Sequence, residues 1–236
     1  MLSIPPTGLL ILAVGALVIW VLRVERQRQR RRAEELTRLA ASLGFTFELY
    51  KPLDFPNMQR LSPPNCQIRS VRNVLRGFRG DVEVLSFDCI QHHRNNRIIS
   101  DPKTTLACFR MRGKKLPWFS VTPDTTQNWL PTRALLFGAG VVRLDPNLEF
   151  SRNFVARSHD HNPEAVRELL TPELQRSVVS LDARHDWFVW GDGEWVCPRI
   201  PCGVGPLLPD EYPAFIQRST VLAEAFFGAS HYTGKR

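Results

Sequence analysis

Residues 72–89 read RNVLRGFRGDVEVLSFDC, and the fold follows from how this stretch divides. Two runs rich in Val, Leu and Phe, Arg72–Phe78 and Val82–Cys89, flank Arg79-Gly80-Asp81. Branched and aromatic side chains suit a pleated, half-buried surface, and a glycine supplies the backbone freedom a tight reversal needs. The stretch therefore predicts an antiparallel hairpin. Thr104–Arg112 (TTLACFRMR) continues the pattern, with Leu106, Cys108 and Arg110 on one face and Ala107, Phe109 and Met111 on the other. Phe45–Leu49, Trp118–Val121 and Phe150–Arg157 are further predicted strands, and residues 50–68 and 91–103 read as loops rich in Pro, Asn and Arg.

The last third brings helices. Asn162-Pro163-Glu164 offers a capping side chain, a proline at the first helical position and an early acid; Thr171-Pro172-Glu173 repeats the device. Trp187–Trp190 and Glu194–Cys197, joined by Gly191-Asp192-Gly193, predict a second hairpin. Glu211–Phe227 places Tyr212, Phe215, Ile216, Ser219, Leu222, Ala223 and Phe226 on one helical face. Strands followed by helix, hairpin and helix predict an α+β domain built on a mainly antiparallel sheet with helices packed on it. No repeat of solenoid or propeller length is present.

Upstream of the hairpin the chain changes solvent. Leu9–Leu22 reads LLILAVGALVIWVL without a polar side chain, and with Pro5–Gly8 it reaches the ~18–20 residues that cover a bilayer's hydrocarbon layer. Six arginines follow at once: Arg23, Arg26, Arg28, Arg30, Arg31 and Arg32. No positive residue precedes the apolar run, so the arginine bias predicts a single transmembrane helix with the N-terminus outside and the C-terminal domain cytoplasmic, at the cell membrane. A cleaved signal peptide requires its positive charges on the other side. Ala33–Leu43 then puts Leu36, Leu39, Ala40 and Leu43 on one face, with Gly44 placed to end the helix. The expected organisation is a transmembrane helix over 1–22, a basic strip and amphipathic helix over 23–44, an α+β domain over 45–230 and a tail over 231–236.

The formal net charge of +8 invites a nucleic-acid reading, but its distribution argues against one. Residues 23–32 hold six Arg and one Glu, a net of +5, so only +3 remains for residues 33–236. A basic collar beside an apolar helix is accounted for by topology and acidic headgroups, and no nucleic-acid motif follows it. The lipid bilayer is thus an expected partner of the six arginines, with a membrane-associated protein as a second and no nucleic acid.

The whole order resembles a group of uncharacterised single-pass, membrane-anchored bacterial proteins classed under domains of unknown function. The residues that carry the resemblance are the helix ending LAASLGFTFE, the 72–89 hairpin, TTLACFRM, LPWFSVTP and the closing helix–hairpin–helix. In that group the hairpin ends in a Phe-Asp-aromatic triplet and a P-x-F-x-x-x-P strand follows. Phe87-Asp88 matches with Cys89 in place of the aromatic, and Pro117, Phe119 and Pro123 match the second element. The resemblance implies one anchored domain and assigns no catalytic residue.

Residue chemistry offers few sites. Cys66, Cys89, Cys108, Cys197 and Cys202 are odd in number and scattered, which is no disulfide framework. Cys197 and Cys202 are candidate metal ligands, as are His159 and His161, which project to one side of an extended segment. Cys89 with His93 is a similar pair. Each pair sits beside turn signals and lacks a tight second pair, so a cofactor is not expected. No phosphate-binding loop, dinucleotide fingerprint, nucleophile elbow or zinc-protease helix occurs. Trp187, Trp190 and Trp195 are expected to be core. The leading expectation is a membrane-tethered cytoplasmic interaction or scaffold module. An enzyme or metal protein using Cys197, Cys202, His159, His161 and His185 is the alternative, and a lipid groove lined by Trp187, Trp190 and Phe226 is a third.

Overall fold

The computed structural model describes residues 6–50, 66–93, 103–124, 140–145, 147–181, 187–199 and 206–229, with side chains in the first segment described from Val14 onward. In chain order the elements are α1 (Pro6–Leu43), β1 (Thr46–Tyr50), β2 (Cys66–Arg79), β3 (Val82–His93), β4 (Lys103–Arg110), β5 (Leu116–Pro123) and β6 (Gly140–Val141). There follow α2 (Glu149–Asn153), β7 (Phe154–Ser158), α3 (Pro163–Leu169), α4 (Pro172–Leu181), β8 (Phe188–Gly193), β9 (Trp195–Arg199) and α5 (Tyr212–Ala229). The strands form one sheet in the order β1-β2-β3-β4-β9-β8-β5-β7-β6. Every neighbouring pair is antiparallel. The expected α+β architecture is therefore present.

Period-two alternation divides the sheet between two apolar clusters. From β3, Val82 and Val84 join the cluster that includes Leu36, Val166, Phe226 and Phe227 from the helices. Leu85, Phe87 and Cys89 point the other way and group with Val74, Leu106, Cys108, Trp195 and Cys197. The helices lie on the first face: α1 against β1 and β2, α5 across β4 and β9, α3 on β5 and β7. All seven residues placed on the inner face of the closing helix are buried. Each fully buried Leu or Phe contributes about 1.5–3 kcal/mol before the entropy of ordering it is subtracted.

Local chemistry sets most boundaries as read. Gly44 takes φ +70° and closes α1, with its N–H on Ala41 O and that of Phe45 on Ala40 O. Asn162 caps α3 by accepting from Ala165 N–H at 3.2 Å. Thr171 Oγ1 accepts from Leu174 N–H at 3.3 Å at the start of α4. Gly80, at φ +56°, turns the first hairpin.

Four expectations are corrected. Phe150 and its neighbours to Asn153 form the short helix α2, and only Phe154–Ser158 is strand. The loops expected over 50–68 and 91–103 are shorter, because β2 begins at Cys66 and β3 continues to His93, paired Cys66 to His93. Cross-strand hydrogen bonding carries polar residues into the sheet there despite their weak strand propensity. The second hairpin turns at Gly193-Glu194, while Gly191 and Asp192 are strand residues. Gly191 is needed in the strand: a Cβ there would lie 2.1 Å from Phe119 Cε1, whose ring crosses it. The two-residue strand β6 was not expected.

α1 runs unbroken for 38 residues, about 57 Å, through both the apolar run and the arginine strip. Among the described residues no helix is long and apolar enough to cross a membrane. The described part of the apolar run nevertheless projects from the domain: Leu17, Val18, Ile19, Trp20, Val21 and Leu22 are all exposed.

Candidate functional site at the root of the N-terminal helix

Where α1 meets the sheet, its spacing sorts its residues. Glu25, Arg28 and Gln29, Arg32 and Leu36 recur at three- and four-residue intervals and so share one face. Leu36 and Ala40 are buried against the sheet and fix that face towards β1–β3. One turn before Leu36, Arg32 reaches Asp88 in a bidentate pair, Nε to Oδ2 at 2.8 Å and Nη2 to Oδ1 at 3.0 Å.

Asp88 collects three further donors. Asn73 Nδ2 bonds Oδ2 at 2.8 Å, while Thr105 Oγ1 at 2.7 Å and Tyr212 OH at 3.1 Å both bond Oδ1. Thr105 in turn accepts from Leu207 N–H at 3.0 Å. Asn73 adopts φ +52° within a bulge between Arg72 and Leu75, and Asn is among the few side chains that tolerate this conformation. The carboxylate thus ties α1, β2, β3, β4 and α5 together. Its lone pairs are occupied, so it is an organising residue rather than an available base.

The electrostatics agree. Burial works against the Arg32 charge, but Asp88 and Tyr212 outweigh it and hold the guanidinium above its usual pKa. Burial, reinforced by the Asp88 carboxylate, raises the Tyr212 phenol well above its ordinary value. The Arg32 guanidinium also lies 6.0 Å from the centroid of the Tyr212 ring. Alongside this cluster, between α1 and β1–β3, is a cavity of about 210 Å³ whose lining includes Arg28, Arg72 and Ser70, the carboxylates of Glu25 and Asp88, and the apolar Leu49 and Ile90.

The six arginines expected at the membrane surface are therefore not equivalent. Arg23, Arg26, Arg28, Arg30 and Arg31 are exposed, whereas Arg32 is turned inward and committed to Asp88. This corrects the reading of Arg32 as a lipid-facing residue. Nothing in its local sequence separates it from Arg31. The partner lies 56 positions away, and only the Phe87-Asp88 motif marked that partner at all.

Of the metal candidates, His159, His161 and Cys197 lie among the described residues. β7 ends at Ser158 and His161 takes φ 59°, so His159 and His161 are not on an extended segment. His161 is exposed, while His159 Nε2 lies 2.8 Å from the buried Ser120 Oγ and its ring stands 5.1 Å from Trp118. Burial first, and then Arg157, lower the His159 pKa to about 4. Asp160, which a catalytic triad would direct at the histidine, is held instead by Ser158 Oγ and the Asn162 N–H. Cys197 is buried beside Cys108, their sulfurs 3.2 Å apart, and this contact together with burial raises the Cys108 pKa well above that of a free thiol. Cys202 and His185 lie outside the described residues. Among the described residues no group of three His, Cys, Asp or Glu is placed to hold a metal. Trp187 and Phe226 are buried in the helix-side core, which leaves neither ring free to line a lipid groove.

No protein-family model matches the chain, and no curated protein matches it in sequence. A solved structure does resemble it: the crystal structure of the mycobacterial trehalose monomycolate transport factor A, TtfA. It aligns with a TM-score of 0.53 over 86% of this chain and 96% of that one, at 12% identity. At that identity the likeness is one of fold alone.

Proposed function

We propose that this chain is a membrane-tethered module that presents its α+β domain to a membrane-associated protein, with the N-terminus outside and the domain on the cytoplasmic side. The observation that carries the reading is the exposure of consecutive large apolar residues from Leu17 to Leu22 of α1. Six successive residues, spaced about 100° apart, encircle a helix. An interfacial helix needs a polar face, and this stretch has none. The exposed arginines that follow supply the cytoplasmic bias, and each contributes about 1 kcal/mol near an anionic surface.

The domain adds rigidity to this reading rather than chemistry. Asp88, with five hydrogen bonds, is spent on structure, and Asp160 is held by Ser158 and Asn162 rather than by His159. A tether raises the effective concentration of the domain towards other membrane proteins, which suits an accessory or scaffold role. The fold shared with a transport factor is compatible with such a role, and we extend it to this chain as a proposal.

Crosslinking of the full-length protein in native membranes, followed by identification of what is captured, tests the reading. A reproducible membrane-protein partner is expected. A chain recovered free in the aqueous fraction, or one whose C-terminal domain is digested by protease added outside intact cells, overturns it.

A further inference from the structure

The cavity at the root of α1 is amphipathic in a way that the Arg32–Asp88 pair beside it does not use. Arg32 and Asp88 neutralise each other, and Glu25, the other carboxylate of the lining, accepts from Gln29 Nε2 at 3.0 Å; Arg28 and Arg72 together outweigh its charge and leave the lining net positive. Arg28 is different: among the described residues it has no hydrogen bond, ion pair or ring contact, yet it lines the cavity. Arg72 makes one long bond, 3.4 Å, to Gln29 Oε1 and lies 5.3 Å over the Tyr50 ring, so most of its donors are unassigned. Ser70 Oγ, also in the lining, is buried with no partner. A buried hydroxyl without a partner costs free energy, which a bound acceptor would recover. Two guanidinium groups and a hydroxyl, with Leu49 and Ile90 as an apolar wall, match an oxyanion attached to a less polar group.

Position selects the source of that oxyanion. Arg28 follows Leu22 by six residues, about 9 Å along the helix, which is just beyond a headgroup layer roughly 5–8 Å thick and within reach of it for a long arginine side chain. A volume of about 210 Å³ holds a phosphate and the glycerol beside it, since one water takes about 30 Å³. We infer that this cavity binds the headgroup phosphate of an anionic phospholipid, with Arg28, Arg72 and Ser70 on the oxyanion and Leu49 and Ile90 against the glycerol. The inference rests on the membrane-tethered reading, because a bilayer must hold α1 for a headgroup to stand at this depth.

The test uses the full chain in nanodiscs of phosphatidylcholine with 10% phosphatidylglycerol, with native mass spectrometry counting the phosphatidylglycerol that stays bound. One retained phosphatidylglycerol is expected for the parent chain. Arg28→Glu, at an exposed and unpartnered position that folding does not need, should lower its retention at least tenfold, and Ser70→Ala should lower it several-fold. Lys114→Ala with Lys115→Ala, which removes two positive charges far from the cavity, should retain it. Equal retention by Arg28→Glu and the parent overturns the site. So does displacement of the lipid by 10 mM inorganic phosphate, which would assign the cavity to the free anion. Extraction of the parent chain by alkaline carbonate reports separately on the membrane reading: a chain that stays in the membrane but retains no phosphatidylglycerol sinks only the headgroup site.

Discussion

Arg32 and Asp88 meet through two hydrogen bonds of 2.8 and 3.0 Å across 56 residues of sequence. The pair joins the basic part of α1 to β3, the third strand from one edge of the sheet, and Tyr212 completes it from α5. An arginine suits this position because its planar fork matches both carboxylate oxygens at once, which an ammonium cannot do.

Removing that fork should be costly. Arg32→Ala leaves a largely buried carboxylate with only neutral donors and should lower stability by about 2–4 kcal/mol in urea unfolding followed by tryptophan fluorescence. Asp88→Asn should cost a similar amount, since the amide N–H faces groups that are themselves donors and leaves the Arg32 charge without its counter-charge. Equal stability of Arg32→Ala and the parent chain would remove the pair from the account.

His159 predicts a pH dependence. Its folded pKa, about 4, lies below the ordinary 6.5, because burial disfavours the charged ring. Above about pH 6.5 neither state is protonated and the full stability is present. As pH falls from 6.5 towards 4 the unfolded chain takes up a proton that the folded chain refuses, so stability declines. The ring is partly solvated, which limits the loss to about 2 kcal/mol. Melting curves of the parent chain between pH 7 and 4.5 should show this loss, and His159→Gln should flatten it.

Two glycines lie under aromatic rings. A Cβ at Gly77 would fall 2.0 Å from Phe45 Cδ1, and one at Gly191 would fall 2.1 Å from Phe119 Cε1. Phe119 is fully buried and stacks on Phe226 at 5.2 Å, so it has nowhere to go. Gly191→Ala should therefore cost about 2–3 kcal/mol and Gly77→Ala less, because Phe45 lies near the sheet edge. Phe45→Leu should partly rescue Gly77→Ala, a coupling that a double-mutant cycle of melting temperatures measures.

The cross-strand thiols Cys108 and Cys197 should resist chemistry. Both are buried, and the Cys108 thiol is held protonated well above the usual range. Iodoacetamide at pH 8 should label neither in the folded chain and both in urea, as read by peptide mass spectrometry. Fast labelling of the native protein would show that this face of the sheet opens.

The apolar run predicts a simple failure. Val14→Arg places a charge in the middle of the proposed membrane segment, at about 2.5–3.5 kcal/mol on insertion scales. The variant should move from the membrane pellet to the soluble or aggregated fraction, while Val141→Arg, at another exposed apolar position, should not.

What the sequence revealed was local. Gly80, the Asn162-Pro163 start and the Tyr212–Phe227 stripe each carry their signal within a few residues, and each took the expected form. Phe150–Asn153 misled because a run with aromatic ends suits a strand and one helical turn equally well. Gly191 resembled a turn residue, yet its lack of a side chain serves a ring on the neighbouring strand, a relation no window of sequence contains. The candidate site was almost wholly hidden for the same reason. Arg32 belonged to a collar of apparent equals, and Asp88 was one letter of a motif. Only the sheet brings β2, β3, β4 and two helices to a common point.

The unbroken course of α1 has a mechanical consequence. Between Leu22 and Leu36 there is no proline, glycine or change of helix type to act as a hinge, and Leu36, Ala40 and Arg32 clamp the far end. The helix is thus a lever fused to its load. A turn or tilt imposed on its free end swings the sheet through the same angle, so force at one end becomes a change of aim at the other.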